Sequence, residues 1–191
     1  MRFCFTILAL LVLGTQTAKS DIRNCVCDLA RPETTTTRGC SLCLEADRRP
    51  ATETVFLVKD INPTKPNRWL ALPRGAYDGT NPLAEMPTDV RMALWTLAVS
   101  KAKELWGDSW ALAMNGDISR TQCHAHIHIG KLLENQEPEN STEPKRASGV
   151  YISSLAELPA IADGTGLWLH PEGNRFHVHV GEQTTETVLM R

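Results

Sequence analysis

The chain lacks a net basic field, an internal repeat and, beyond its first residues, any apolar run long enough to cross a bilayer. Its formal charge is −2 over 191 residues. Nothing global therefore draws it to a polyanion, and nucleic acid is excluded as an expected partner. A membrane span needs about 20 consecutive apolar residues, and no such run follows Ser20. Histidine is scarce too, with six in all. The remaining composition, 42% hydrophobic and 22% charged, is that of an ordinary globular domain with a sizeable core.

The N-terminus departs from that composition. Arg2 precedes the apolar run Phe3 to Gly14, and small residues stand at Ala18 and Ser20. This order of basic, apolar and small residues reads as a secretory signal over residues 1–20, cleaved after Ser20. An uncleaved N-terminal anchor is the alternative. Either places the mature domain outside the cytoplasm, periplasmic or secreted.

Loss of the signal removes Cys4 and leaves Cys25, Cys27, Cys40, Cys43 and Cys123. In an exported chain the clustered Cys25, Cys27, Cys40 and Cys43 are expected to form two disulfides, with the pairing left open and Cys123 left over. Residues 21–50 show little periodicity and read as a stapled, cysteine-rich loop segment. The main domain is expected over residues 51–191.

Strands are expected over Thr54 to Asp60, Asn67 to Pro73 and Ser109 to Asn115. A helix follows Thr88 as N-cap, carries an apolar stripe of Val90, Leu94, Leu97, Ala98 and Leu105, and ends at Gly107. Residues 134–148 read as a polar loop, which includes the sequon at Asn140, and Ser153 to Ala162 as a short helix. Gly166 to His170 and Arg175 to Gly181 read as a β-hairpin about a Pro-Glu-Gly-Asn turn. The pattern predicts an antiparallel α+β domain. Trp69, Trp95 and Trp168 are core candidates.

Half of the histidines fall in one short stretch, RTQCHAHIHIG, as His124, His126 and His128. A strand repeats its side-chain direction every second residue, so the three imidazoles are expected to share one face. Ala125, Ile127 and Ile129 then face the core. Such a row could hold a metal ion, supply a nucleophile, or merely be a polar face. Arg120 and Thr121 upstream, with Asn115 at the end of the preceding strand, favour phosphate chemistry, because a guanidinium, a hydroxyl and an amide all bind phosphate oxygens.

HAHIHIG resembles the motif of the histidine-triad superfamily, with Gly130 in the place of a final apolar residue. Lys59 to Arg74, KDINPTKPNRWLALPR, resembles that superfamily's upstream signature. Within it the chain is most similar to bacterial CDP-diacylglycerol pyrophosphatases, through LVKDIN, YDGTNPL, the Arg-Thr-Gln lead-in and the late GLWL hairpin. The resemblance implies a histidine-triad-like antiparallel sheet with one long helix and a C-terminal β-hairpin. It implies His126 as nucleophile, His128 as the contact to the transferred phosphate and His124 as the buttress of His126. Asp60, Ile61 and Asn62 would line the ribose and base pocket, and Thr121 would lie near the phosphate. Arg68 stands where many members have histidine. Ala76 replaces a zinc-binding histidine of others, so no metal and no cofactor is expected.

His177 and His179 form a second alternating pair with Arg175. They read either as a solvated hairpin face or as a rim of the same cleft. His170, at the expected turn, reads as structural.

The expected activity is hydrolysis of a nucleotide pyrophosphate, CDP-diacylglycerol to CMP and phosphatidate, by way of a nucleotidyl-histidine. A lipid substrate implies peripheral contact with a membrane. The alternatives are the same chemistry on a soluble nucleotide or dinucleotide, and a non-catalytic metal- or nucleotide-binding domain.

Overall fold

The computed structural model describes residue 25 and residues 27–77, 81–134 and 149–191. The signal segment, residues 78–80 of the YDGTNPL stretch, and the polar loop with its sequon beyond residue 134 lie outside the described residues. Among the described residues no helix is long and apolar enough to cross a membrane.

Seven strands form one antiparallel sheet. In chain order they are β1 Val55–Lys59, β2 Trp69–Pro73, β3 Trp110–Met114, β4 Ile127–Lys131, β5 Val150–Ile152, β6 Gly166–Glu172 and β7 Arg175–Glu182. Their spatial order is β1-β2-β4-β3-β6-β7-β5. The hairpin of β6 and β7 turns through Gly173, whose φ of 59° suits a residue without a side chain. Its strands run further than expected, and Pro171 is paired within β6. The pairing of β6 to β3 covers Leu167 to Leu169 only, so the absent N–H of Pro171 breaks no ladder on that side. Residues 150–152, unassigned from sequence, add an edge strand to β7. The expected short helix after Ser153 is a single 3-10 turn, Leu155–Glu157.

Among the described residues three α-helices accompany the sheet: α1 Ser41–Asp47, α2 Pro82–Glu85 and α3 Thr88–Trp106. Gly107 closes α3 with a positive φ, as its position predicts. Thr88 is the first helical residue and Pro87 the N-cap. The buried stripe of α3 is Leu94, Trp95, Ala98, Val99 and Ala102. It is rotated toward Trp95 and Val99 relative to the expected one, and Leu105, in the last turn, is exposed. This stripe packs with Leu112, Ile127, Ile129, Leu167 and Leu169 from one face of the sheet. Burial of those side chains, about 1.5–3 kcal/mol each, is what holds the layer together.

The opposite face carries the chemistry. Leu42 and Ala46 of α1 cover Phe56, Leu70 and Leu72 at one end of it. Val188 and Leu189, near the C-terminus, cover Ala111, Ala113 and Trp168 further along. A gap remains between these two covers, over β2 and β4.

Residues 32–47 therefore differ from the loop expected there. Two 3-10 turns, Pro32–Thr36 and Arg38–Cys40, lead into α1. The disulfides also differ from the expected set. They join Cys25 to Cys123 and Cys27 to Cys40, while Cys43 is a buried thiol outside both. Cys43 lies within α1 and turns inward, whereas the Cys123 amide donates to the Gly39 carbonyl at 2.8 Å, which brings the left-over cysteine to the N-terminal segment. Clustering in sequence paired Cys27 with Cys40 but left Cys25 to a cysteine 98 residues away. Two disulfides are bonds of an oxidising compartment. Proteolysis of the non-reduced protein is expected to give Cys25–Cys123 and Cys27–Cys40 peptides, with Cys43 alkylated only after denaturation. A Cys40–Cys43 or Cys43–Cys123 peptide would overturn this pairing.

Candidate active site

The gap on the open face is a cleft of ≈ 850 Å³, within the range of about 300–1,000 Å³ usual for small-molecule sites. His126, His128, Asn115, Thr121, Asp60, Ile61 and Asn62 all line it. Five basic side chains (Arg38, Arg48, Arg49, Lys59 and Lys65) face it against three acidic ones (Glu45, Asp60 and Glu186). Leu42, Leu57, Val58 and Leu70 add apolar wall. The cleft suits a ligand with a negative centre and an apolar part.

The three triad histidines do not occupy one regular row. Only His128 lies within β4, opposite Leu70 of β2 and Ala113 of β3. His124 and His126 precede the strand, where the chain leaves the ladder. The side-chain nitrogen Nε2 of His124 donates to the Pro73 carbonyl at 2.7 Å, and its ring does not line the cleft. Its own carbonyl accepts from His126 Nδ1 at 2.8 Å. A carbonyl can only accept, so the bond puts the proton of neutral His126 on Nδ1 and the lone pair on Nε2. Ala125, Ile127 and Ile129 are fully buried on the core side.

His126 and His128 meet edge to face, with ring centroids 4.7 Å apart. Burial, above all, lowers the pKa of His126 to about 4; the hydrogen bond to the His124 carbonyl opposes the shift and nearby Arg120 adds to it. Burial likewise holds His128 well below its ordinary value, with His126 contributing. Both rings are neutral at pH 7. A neutral imidazole is the nucleophilic form.

Glu186 was not anticipated from sequence. It forms ion pairs with Lys65 and Arg68, and its Oε2 lies 3.7 Å from His128 Nδ1. Burial alone would raise its pKa, yet His128, Lys65 and Arg68 outweigh burial and hold it at about 2. Because His128 is neutral at pH 7, the two permanent cations carry that effect there. Lys65 belongs to the turn between β1 and β2, whereas Glu186 lies in a 3-10 turn, Thr185–Val188. Their separation of 121 residues left no local signal in the sequence.

Asn115 serves this same C-terminal turn. Its Oδ1 accepts from the Glu186 amide at 3.1 Å and from the Thr185 hydroxyl at 3.2 Å. Asp60 and Asn62 shape their own turn, since Asp60 Oδ1 accepts from the Asn62 amide and Asn62 Oδ1 from the Thr64 amide. Between them Ile61 is 93% exposed at the cleft.

Arg68 and Gly130, two of the three departures from the triad pattern, are one structural feature. Arg68 is 2% exposed and donates to the carbonyls of Glu186, Leu189 and Met190 and to the Glu186 carboxylate. It clamps the C-terminal segment across β4. A Cβ on Gly130 would lie 3.2 Å from Leu189 Cβ and 3.3 Å from Arg68 Cδ. The glycine makes room for the clamp.

Several expected site residues lie elsewhere. Arg120 is buried and does not line the cleft, although it is close enough to His126 to act on its charge. His177, His179 and Arg175 are not a rim of it either. His177 and His179 are buried rather than solvated, and β3 and β6 separate their strand from β4. His170 is a buried residue of β6, not a turn residue. Residues of the N-terminal segment line the cleft unforeseen, among them Arg38, Ser41 and Arg48; Ser41 Oγ bonds Gln122 Oε1 at 3.0 Å. No protein-family model matches the chain, and no curated protein was found to match it.

Proposed function

We propose that the chain hydrolyses a nucleotide pyrophosphate through a nucleotidyl intermediate on His126, with CDP-diacylglycerol as substrate and CMP and phosphatidate as products. The observation that carries the reading is the His126 ring: it lines a basic cleft, is neutral, and has its lone pair assigned to Nε2 by the His124 carbonyl. The triad-like motif and the D-I-N-P turn, which resemble those of the histidine-triad superfamily and its CDP-diacylglycerol pyrophosphatases, give the substrate class.

In this mechanism Nε2 attacks the phosphorus next to the nucleoside. A P–N bond forms, the P–O bond of the anhydride breaks, and phosphatidate leaves. Positive charge that builds on the ring is shared through Nδ1–H with the His124 carbonyl. Water then attacks the same phosphorus, CMP departs, and neutral His126 returns with the surplus proton passed to solvent. Splitting one displacement into two easier ones is the gain of covalent catalysis. Basic groups of the cleft offset charge on the phosphoryl oxygens in a site partly shielded from water. Ile61, apolar and almost wholly exposed beside the cleft, suits contact with an acyl chain or a membrane surface. Export from the cytoplasm, by signal or by anchor, belongs to the same proposal and fits the disulfides.

The test is turnover on a panel of nucleotide pyrophosphates with CDP-diacylglycerol included. CMP and phosphatidate should appear in equal amounts, and turnover should survive exhaustive chelation, because the cleft's own cations serve the phosphate. Faster turnover of a soluble dinucleotide would replace the lipid assignment. No turnover of any member would leave a binding domain.

A further inference from the structure

A second group of histidines lies on the open face, outside the cleft. His170 on β6 is paired in register with His177 on β7, and His179 follows two residues later, beside Trp168. All three are less than a tenth exposed. One ring nitrogen from each lies within 4.8 Å of those from the other two. We propose that His170, His177 and His179 form a binding site for a divalent transition metal ion of the zinc class, separate from the triad.

Three imidazoles are a borderline ligand set, suited to zinc, cobalt, nickel or copper and poor for calcium or magnesium. A tetrahedral ion with Zn–N bonds of about 2.0–2.1 Å needs nitrogens about 3.3 Å apart. The nitrogens lie within 4.8 Å of one another, so a bound ion would draw the rings closer together. The fourth position would take water.

The surroundings resemble the outer shell of a metal site. His170 Nδ1 donates to the Pro171 carbonyl at 3.1 Å, which assigns its lone pair to Nε2. Glu172 Oε2 stands 3.6 Å from His177 Nδ1 and accepts from the Tyr151 hydroxyl at 3.1 Å. Carboxylates and carbonyls in these places orient ligating imidazoles and raise their basicity. The rings are also held in place. His179 stacks on Trp168 at 3.8 Å and His177 on Tyr151 at 4.3 Å, with the Arg175 guanidinium also over the Tyr151 ring. Glu182, which accepts from Trp168 Nε1 at 3.4 Å, adds a second carboxylate nearby.

The other sulfur and nitrogen cluster among the described residues, Cys27, Cys40 and Cys123, is taken up by the disulfides. The triad strand and β7 stand three strand spacings apart, roughly 14 Å. An ion on β6 and β7 would thus brace the hairpin and not touch the cleft.

The test uses the mature, disulfide-bonded protein without a histidine tag. It is stripped with chelator and titrated with zinc chloride by calorimetry, and with cobalt chloride by visible absorption. One equivalent of each should bind with a Kd of a few micromolar or tighter. Cobalt should give the intense bands of a four-coordinate site, and zinc should raise Tm. His177→Gln and His179→Gln should each lose more than the ~10–100-fold in affinity that removal of an outer-shell partner costs. Glu172→Gln should fall within that range, and His126→Gln should bind as wild type. Wild-type zinc binding weaker than about 100 μM, or an octahedral cobalt spectrum, would overturn the site even if a histidine variant failed to fold. Binding lost in His126→Gln and kept in His177→Gln would move the ion to the triad.

Discussion

His126→Ala is expected to lower turnover by about 10⁴-fold or more, the scale on which enzymes respond to loss of a nucleophile. The variant should still fold. The side chain removed is a wall of the cleft, and the main loss to the fold is one hydrogen bond to the His124 carbonyl, about 1 kcal/mol. Quenching wild-type turnover in acid-free denaturant should trap nucleotide on the protein, and the variant should trap none. A folded His126→Ala protein with a tenth of wild-type turnover would end the assignment.

The same histidine sets a pH dependence whose sign follows from its burial. Attack needs the neutral ring, and the folded pKa is about 4. Turnover should stay flat on the acid side from pH 7 down to about 5 and halve near 4. Stability moves earlier. The unfolded chain gains a proton near pH 6.5 while the folded ring resists until about 4, so stability is full above 6.5 and drains as pH falls through that window. The loss is on the order of 3 kcal/mol. His128, shifted the same way, adds to it. The Glu186 ion pairs act lower, since a carboxyl held at about 2 in the fold loses its contribution as pH falls from 4.5 toward 2. Denaturant midpoints of wild type and His126→Gln between pH 4 and 7 check this. The variant should lose markedly less stability over the range.

Arg68→Ala is expected to cost about 3–5 kcal/mol, the usual result of removing one partner from a buried ion pair. Four acceptors lose a donor at once: the Glu186 carboxylate, which keeps Lys65, and the carbonyls of Glu186, Leu189 and Met190. Arg68→Lys should recover little, because an ammonium cannot span acceptors that a planar guanidinium fork meets together. Urea denaturation measures the loss, and carboxypeptidase digestion of the C-terminal residues should quicken in the variant under native conditions. Turnover should fall as well, since the segment released carries Glu186 beside His128 and Lys65. Equal urea midpoints for wild type and Arg68→Ala would remove the clamp from this account.

Local patterns in the sequence decided most of the secondary structure and one face of the site. The alternation from His124 to Ile129 was enough to send Ala125, Ile127 and Ile129 to the core. Gly107 stopped α3, and the D-I-N-P turn stood next to the triad strand, because β1 and β2 form a hairpin and β2 pairs β4. What lay beyond reach were contacts between segments distant in the chain. Lys65 and Arg68 meet Glu186 across 121 and 118 residues. Cys25 meets Cys123 across 98, and the N-terminal segment thereby becomes a wall of the cleft. Alternation says which residues share a face of a strand, but not which strands are neighbours. That is why the spacing of His177 and His179 gave them a shared face but left open whether that face borders the cleft: the strand order sets β3 and β6 between them and the triad. His170 joined them only because the hairpin register set it opposite His177, a matter of pairing between strands that no single strand's sequence contains.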